Sequence, residues 1–196
     1  MPAGEDNIRA FIAIELPGAV RRALGELIQR LDADGLPLRW VRPDNIHLTL
    51  KFLGDISSGQ AAAVGDALAA AVAGTAPFQL RAAGVGVFPS LARARVVWVG
   101  AAGGVERLKG LQQNIDGALE KLGFAAEKRP FKGHLTLGRA KDRLDPERLK
   151  RSLKAVGVFE AGEFQVDRVT LFKSELKPTG AVYTPLREMA FKGEKF

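Results

Sequence analysis

Residues 45–54 read NIHLTLKFLG, and residues 132–141 read KGHLTLGRAK. Both stretches contain the tetrapeptide HLTL, whose two copies begin at His47 and His134. The chain has 2 histidines in all, and both occupy the first position of this repeat. Random placement would rarely put every histidine of a chain into a duplicated motif. The repeat therefore predicts two lobes related by a pseudo-twofold axis, with one histidine contributed by each.

Each copy of HLTL has the composition of a short β-strand. Because successive side chains of a strand point to opposite faces, we expect His47, Thr49 and Lys51 to share one face. The leucines between them, together with Phe52, are expected to face the core. The same alternation turns Thr136 and the second histidine away from the core. If the two lobes face each other, two histidines and two threonines meet in one cleft.

The remaining sequence predicts a mixed α+β chain. Runs rich in branched apolar residues predict strands at 8–16, 38–41, 46–53, 78–87, 95–100, 134–137, 166–172 and 182–191. Apolar residues at helical spacing predict helices at 19–31, 60–73, 105–122 and 146–155. The pair Ser57-Ser58 is expected to cap the second of these helices. Since no long Pro/Ser-rich linker interrupts the chain, we expect a single domain over residues 1–196.

Composition narrows the function classes. The chain contains no cysteine, which excludes disulfides, thiolate catalysis and cysteine-ligated metals. It has no apolar run long enough for a membrane span and no secretory signal at its start, so we expect a cytoplasmic protein without membrane partners. The net charge is +7, and residues 99–196 carry most of it, with 19 basic and 13 acidic side chains. This bias favours a polyanionic partner such as RNA, and no obligatory protein partner is inferred.

Two histidines in one cleft predict acid–base chemistry on a phosphodiester. Imidazole titrates near pH 6.5, so one histidine can be neutral while the other is protonated. Opening a phosphodiester with water needs a base for the water and an acid for the departing sugar oxygen. Threonine hydroxyls beside the histidines can donate to the phosphate. Two histidines could also bind zinc, but no Asp or Glu lies at ligand spacing, so we expect no metal and no cofactor.

Five further residues are candidates for substrate binding. Lys132 shares strand parity with the second histidine, so it can reach the cleft. Arg139 has the opposite parity and enters the cleft only if the strand twists or ends there. Trp40, Phe88 and Phe131 lie near motifs or turns, where an aromatic ring could stack on a base.

The chain resembles the 2H phosphoesterase superfamily, and within it the bacterial and archaeal RNA 2′,3′-cyclic phosphodiesterases, formerly called 2′–5′ RNA ligases. Besides the two HLTL motifs, the segments that carry the resemblance cover nearly the whole chain in order. They are FIAIELP at 11–17, RWV at 39–41, VFPS at 87–90, ARVVWVG at 94–100, HLTLGRA at 134–140 and SELKPTGAVYTPL at 174–186. One departure is Gly133, since the family often has proline before the second histidine.

The resemblance implies an α+β fold of two pseudo-symmetric lobes, with antiparallel sheets around a central cleft and helices outside. It implies hydrolysis of a terminal RNA 2′,3′-cyclic phosphate to a 2′-phosphomonoester without a metal. By motif position, His47 would be the proton donor and His134 the proton acceptor. Thr49 and Thr136 would bind the phosphate.

Three alternatives stay open on the sequence alone. The same chemistry could act on a small cyclic nucleotide. The chain could be a non-catalytic module that binds RNA ends, although such a module would not need two paired histidines. The site could also catalyse the reverse reaction, 2′–5′ ligation, although the high concentration of water favours hydrolysis of a strained ring.

Overall fold

The computed structural model describes residues 7–178 and 180–193, so the ends of the predicted domain and Thr179 of the late motif lie outside it. These ranges form four α-helices, two short 3-10 helices (Pro43–Asn45 and Leu91–Arg93) and nine strands, the expected α+β class. The helices are α1 (Gly18–Asp32), α2 (Ser58–Val72), α3 (Val105–Glu120) and α4 (Pro146–Val156). The strands are β1 (Ile8–Glu15), β2 (Leu38–Trp40), β3 (His47–Ile56), β4 (Phe78–Phe88), β5 (Val96–Gly103), β6 (His134–Ala140), β7 (Glu160–Val166), β8 (Arg168–Lys177) and β9 (Gly180–Ala190).

Local sequence explains where most of these elements begin. The Ser57 side chain accepts a hydrogen bond from the backbone of Gln60, whose own side chain accepts one from the Ser57 backbone. This capping box starts α2 where the sequence predicts it. Strand β7 is the element that the sequence pattern misses, because four of its seven residues are exposed and only Phe164 and Val166 are buried. Strand β7 forms through backbone pairing with β4 at the edge of the sheet.

The strands form one antiparallel sheet in the order β7-β4-β5-β6-β3-β1-β8-β9, with β2 added beside β6. The sheet is strongly curled into a half-barrel. Its two central strands, β3 and β6, carry the HLTL motifs and pair through Leu48 and Leu135. The boundary between β3 and β6 divides the main path of the sheet into two sets of four strands, with β3 in one set and β6 in the other. The two predicted lobes are therefore the two halves of a continuous sheet, β3-β1-β8-β9 and β6-β5-β4-β7.

The two faces of the sheet have different surroundings. On one face, Leu24 of α1 and Leu108 of α3 share the main core with strand residues such as Ile12. Burying each such side chain contributes about 1.5–3 kcal/mol. On the opposite face, Phe11 of β1 and Phe172 of β8 belong to a small separate cluster. The helices thus cover one face and leave the other for the cleft. No helix among the described residues combines the length and apolar character needed to cross a bilayer.

Candidate active site

Both HLTL motifs open onto one cleft on the uncovered face of the sheet. The cleft has a volume of about 530 Å³, and its lining includes His47, Thr49, His134 and Thr136. The leucines of the two motifs are buried on the helix-covered side. The predicted alternation is therefore confirmed within each motif, and the structure brings the four predicted side chains together.

A β-bulge at the end of each motif reverses the alternation. In the β1–β3 ladder the register passes from Thr49 directly to Lys51, and in the β5–β6 ladder it passes from Thr136 directly to Gly138. The final leucine of each motif is the extra residue, and an extra residue shifts the side chains that directly follow it to the other face. Because a bulge occurs at the same position in both motifs, it belongs to the repeated structural unit.

The bulges make two of the predicted orientations wrong. Lys51, expected beside the cleft threonine, is 8% exposed and pairs with Asp116 of α3. Phe52, expected in the core, is 67% exposed and lines the cleft. Arg139 also lines the cleft, because the second bulge supplies the change of direction that its parity required. Phe52 and Arg139 hold the same position relative to their motif histidines.

Both imidazoles are held in the same way. Nδ1 of His47 lies 2.8 Å from the backbone oxygen of Asn45, and Nδ1 of His134 lies 2.8 Å from the backbone oxygen of Lys132. A carbonyl oxygen can only accept, so each Nδ1 carries a hydrogen and donates it. Nε2 is then the nitrogen of each ring that takes up or releases a proton. Asn45 is itself anchored, since its side-chain amide donates to the Ala181 oxygen of β9 at 2.8 Å.

Aromatic rings surround each histidine. His47 stacks on Phe11 at 4.7 Å between ring centroids and meets the edge of Tyr183 at 5.2 Å. His134 meets Phe88 edge-on at 5.0 Å, and Trp98 lies 6.4 Å away. These contacts fix the ring orientations and reduce the access of water to the His47 side in particular.

Burial changes the acid–base properties of the first half of the site. Burial lowers the pKa of His47 to about 4, against the opposing effect of the hydrogen bond to Asn45. Burial also raises the pKa of Tyr183, although the charges of Arg139 and Arg9 lower it. At neutral pH the free protein therefore holds a neutral His47 and a protonated tyrosine hydroxyl. A bound phosphate would favour the imidazolium form of His47, because an anion nearby stabilises a cation.

We expect His47 to titrate near pH 4 in the free protein and at a higher pH when inorganic phosphate is bound. Imidazole nitrogen NMR can measure this directly, because the chain has 2 histidines and His134→Ala leaves one set of signals. A His47 that titrates near 6.5 without ligand would contradict the effect of burial on its pKa.

The other predicted substrate residues divide into two groups. Lys132 places its Nζ 4.6 Å from the Trp98 ring centroid and 5.4 Å from that of Phe88, beside the second histidine. Trp40 and Phe131 are not brought to the cleft, because both pack against the main core. The indole nitrogen of Trp40 also donates to Asp32 at 2.6 Å, which fixes the ring on the helix side. Stacking of a base on either ring stays a prediction.

The sequence analysis does not single out several residues of the cleft, among them three beside the first histidine. Phe11 and Tyr183 flank His47, and Arg9 lines the same side of the cleft. The alternation of β1 contains a signal for Phe11, since it lies on the face opposite the buried Ile12. The spacing of residues in β9 contains no comparable signal for Tyr183, because long-range contacts bring β9 to the site: its pairing with β8 and the hydrogen bond from Asn45.

A family model described as LigT-like phosphoesterase matches the chain twice, at residues 14–98 and 99–183. Each match contains one HLTL motif, as the pseudo-twofold arrangement requires. The chain belongs to the LigT-like phosphoesterase family, a group of 2H phosphoesterases. Together the two matches cover nearly all of the chain.

Individual members of the LigT-like family extend the similarity over almost the full length. The RNA 2′,3′-cyclic phosphodiesterase of Methanothermobacter thermautotrophicus is 33% identical, with 92% of this chain and 97% of that protein covered. The enzyme of the same name from Thermus thermophilus is 36% identical, with coverage of 95% and 92%.

Solved structures agree with these sequence relationships. A crystal structure of a Thermus thermophilus protein superimposes with a TM-score of 0.77 at 30% identity, covering 96% of this chain and 100% of that one. Escherichia coli LigT in complex with 3′-AMP gives a TM-score of 0.71 at 30% identity, with coverage of 95% and 99%. The half-barrel sheet with helices on one face is thus the fold of LigT-like phosphoesterases.

Proposed function

We propose that this protein hydrolyses the terminal 2′,3′-cyclic phosphate of RNA to a 2′-phosphomonoester. The observation that carries the proposal is the pair of histidines in one cleft, each with Nδ1 donating to a carbonyl and Nε2 available for proton transfer. The names of the related RNA 2′,3′-cyclic phosphodiesterases support the reaction and the substrate class. The similarity to LigT bound to 3′-AMP supports a nucleotide in this cleft.

The reaction divides the work between the two imidazoles. Nε2 of His134 accepts a proton from water, and the water oxygen forms a bond to phosphorus. The bond between phosphorus and the 3′ oxygen breaks, and Nε2 of His47 donates a proton to that oxygen. Each of these proton transfers is worth about 10²–10⁴-fold in rate. The product keeps its phosphate on the 2′ oxygen.

The remaining cleft residues stabilise the phosphate. The hydroxyls of Thr49 and Thr136 donate to its non-bridging oxygens, where negative charge grows during the attack. Arg139 adds a cation on the same face of the sheet. Phe88 and Lys132 lie beside the second histidine, where the ring offers a stacking surface and the ammonium a contact for the RNA. The negative charge of the substrate phosphate favours the protonated form of His47, which is the form that can donate to the leaving oxygen.

Hydrolysis of an oligonucleotide that ends in a 2′,3′-cyclic phosphate tests this proposal. We expect a 2′-phosphate product and the same rate with and without EDTA, because the histidines supply both proton transfers. Among the described residues, no three His, Asp or Glu side chains are grouped to hold a metal. Phosphate position is read by NMR or by phosphatase digestion.

Three results would contradict parts of the proposal. Turnover that disappears in EDTA and returns with zinc or manganese would overturn the metal-independent mechanism. A 3′-phosphate product would mean that the other ring oxygen leaves. Tight binding of the oligonucleotide without any turnover would assign the protein to the RNA-end binding modules instead.

A further inference from the structure

A second basic depression lies outside the cleft, where β5 begins and β6 ends. The connection between β4 and β5 folds back on itself, with the backbone N–H of Arg95 donating to the Phe88 oxygen at 2.7 Å. The segment after β6 packs beside this connection. Between them lies a space of about 450 Å³ lined by Arg93, Arg95 and Arg143, which we call the arginine groove. Buried Leu144 forms part of its wall.

No carboxylate among the described residues pairs with an arginine of the groove. All three arginines are exposed. Within the described part of the chain, no acidic residue lines the groove. Three guanidinium groups around one space repel each other, and an anion in that space removes the repulsion. Guanidinium groups match phosphate oxygens in a two-pronged geometry, which makes a phosphate the best-suited anion.

The arginine groove adjoins the catalytic cleft at the Arg139 end of β6, the strand that begins at His134. Arg139, which lines the cleft, pairs in register with Val96, the residue that follows Arg95. The next residue of β6, Ala140, donates its backbone N–H to the Arg95 oxygen at 2.9 Å. The two depressions have no described lining residue in common, yet they are joined across one pair of hydrogen-bonded strands.

An RNA strand needs such a neighbouring site. With a volume of about 530 Å³, the cleft matches pockets that enclose a single small ligand. If the cyclic phosphate lies between the two histidines, the strand must leave the cleft toward its 5′ side. Its next phosphates then pass over the adjacent surface.

We propose that the arginine groove binds an internal phosphate of the RNA strand on the 5′ side of the cyclic end. This inference rests on the proposed function and makes its substrate more specific, an oligonucleotide rather than a mononucleotide. The groove contributes affinity and placement of the strand. It takes no part in proton transfer, which is confined to the cleft.

Comparing substrates of two lengths tests the inference. We expect kcat/KM to be about tenfold higher for a cyclic-ended octanucleotide than for a 2′,3′-cyclic mononucleotide, the effect of a charge-assisted contact. The double variant Arg93→Ala/Arg143→Ala should lose that advantage and change the mononucleotide rate less than twofold. For the octanucleotide, log kcat/KM falls as log salt rises. In the double variant this slope should be shallower than in the wild-type protein by about 1 or 2.

A matched variant separates the arginine groove from general charge. Arg22→Ala/Arg107→Ala removes the same number of charges from exposed positions on α1 and α3. We expect it to keep the length preference. An equal loss in this control, or an equal loss of both substrates in the groove variant, would overturn the inference.

The same data distinguish this inference from the proposed function. If the wild-type protein has equal kcat/KM for substrates of both lengths, the inference about the arginine groove is overturned, while the proposed hydrolysis stands. Turnover of neither substrate would overturn the proposed function. In that case fluorescence anisotropy with a 2′-phosphate-ended octanucleotide still tests the groove, because the groove variant should bind more weakly than the control. Equal affinity of the two variants would overturn it.

Discussion

His47→Ala and His134→Ala will each reduce turnover of a cyclic-ended RNA by roughly 10²–10⁴-fold, the usual worth of one acid or base. Both side chains line the cleft, and their Nδ1 hydrogen bonds go to backbone carbonyls of the preceding loops. The fold should therefore persist, which far-UV circular dichroism and thermal melting can check. The double variant should be little worse than the poorer single one, because residues that act as one unit are not additive.

An activated substrate separates the two roles. If His47 protonates the leaving oxygen, a p-nitrophenyl ester should restore much of the rate to His47→Ala, because p-nitrophenolate leaves without an acid. His134→Ala should gain nothing comparable, because water still lacks its base. Rescue of His134→Ala alone would reverse the assignment. Full activity in either single variant would remove that histidine from the mechanism.

Asp116→Ala will lower the free energy of unfolding by about 3–5 kcal/mol, because it leaves a buried lysine without its partner. Lys51 and Asp116 have side-chain exposures of 7% and 15%. The Lys51 ammonium also donates to the Ala125 oxygen at 2.8 Å, and Asp116 accepts from the Glu127 backbone at 3.0 Å. The loss is large against the roughly 5–15 kcal/mol that stabilises a typical domain. Urea unfolding measures it.

Two controls define the cause of that loss. Glu106→Ala breaks the exposed pair between Glu106 and Lys109 on the same helix, and should cost no more than about 1 kcal/mol. Lys51→Met combined with Asp116→Ala removes both charges and should recover part of the stability. If the combined variant is no more stable than Asp116→Ala, the loss comes from a cavity or from the loop rather than from the unpaired lysine.

The sequence predicts this site well where local pattern is enough. The alternation inside HLTL places each histidine and threonine correctly, because strand geometry over four residues depends little on the rest of the chain. The same alternation gives the wrong faces for the residues that directly follow the first motif. Lys51 and Phe52 exchange faces because the bulge belongs to the pairing between two strands, and no residue type in LKF marks it. The equivalent bulge in β6 turns Arg139 into the cleft, as the first bulge does Phe52.

Contacts between distant parts of the chain account for the remaining differences. Tyr183 reaches His47 from β9, and β7 exists as a strand through its pairing with β4. Trp40 lies near the first motif in sequence, yet its ring faces Asp32 rather than the cleft. In each case the position is decided by long-range pairing or packing, which residue spacing does not encode.

The order of strands in the sheet bears on how the protein is made. The half that carries His134 uses β4, β5, β6 and β7, which follow one another along the chain. The half that carries His47 joins β1 and β3 to β8 and β9, which are translated last of the described strands. During synthesis, β1 must keep one edge unpaired, a state prone to wrong association, until β8 emerges from the ribosome. The histidine that is translated first is therefore the last to enter a finished half-sheet.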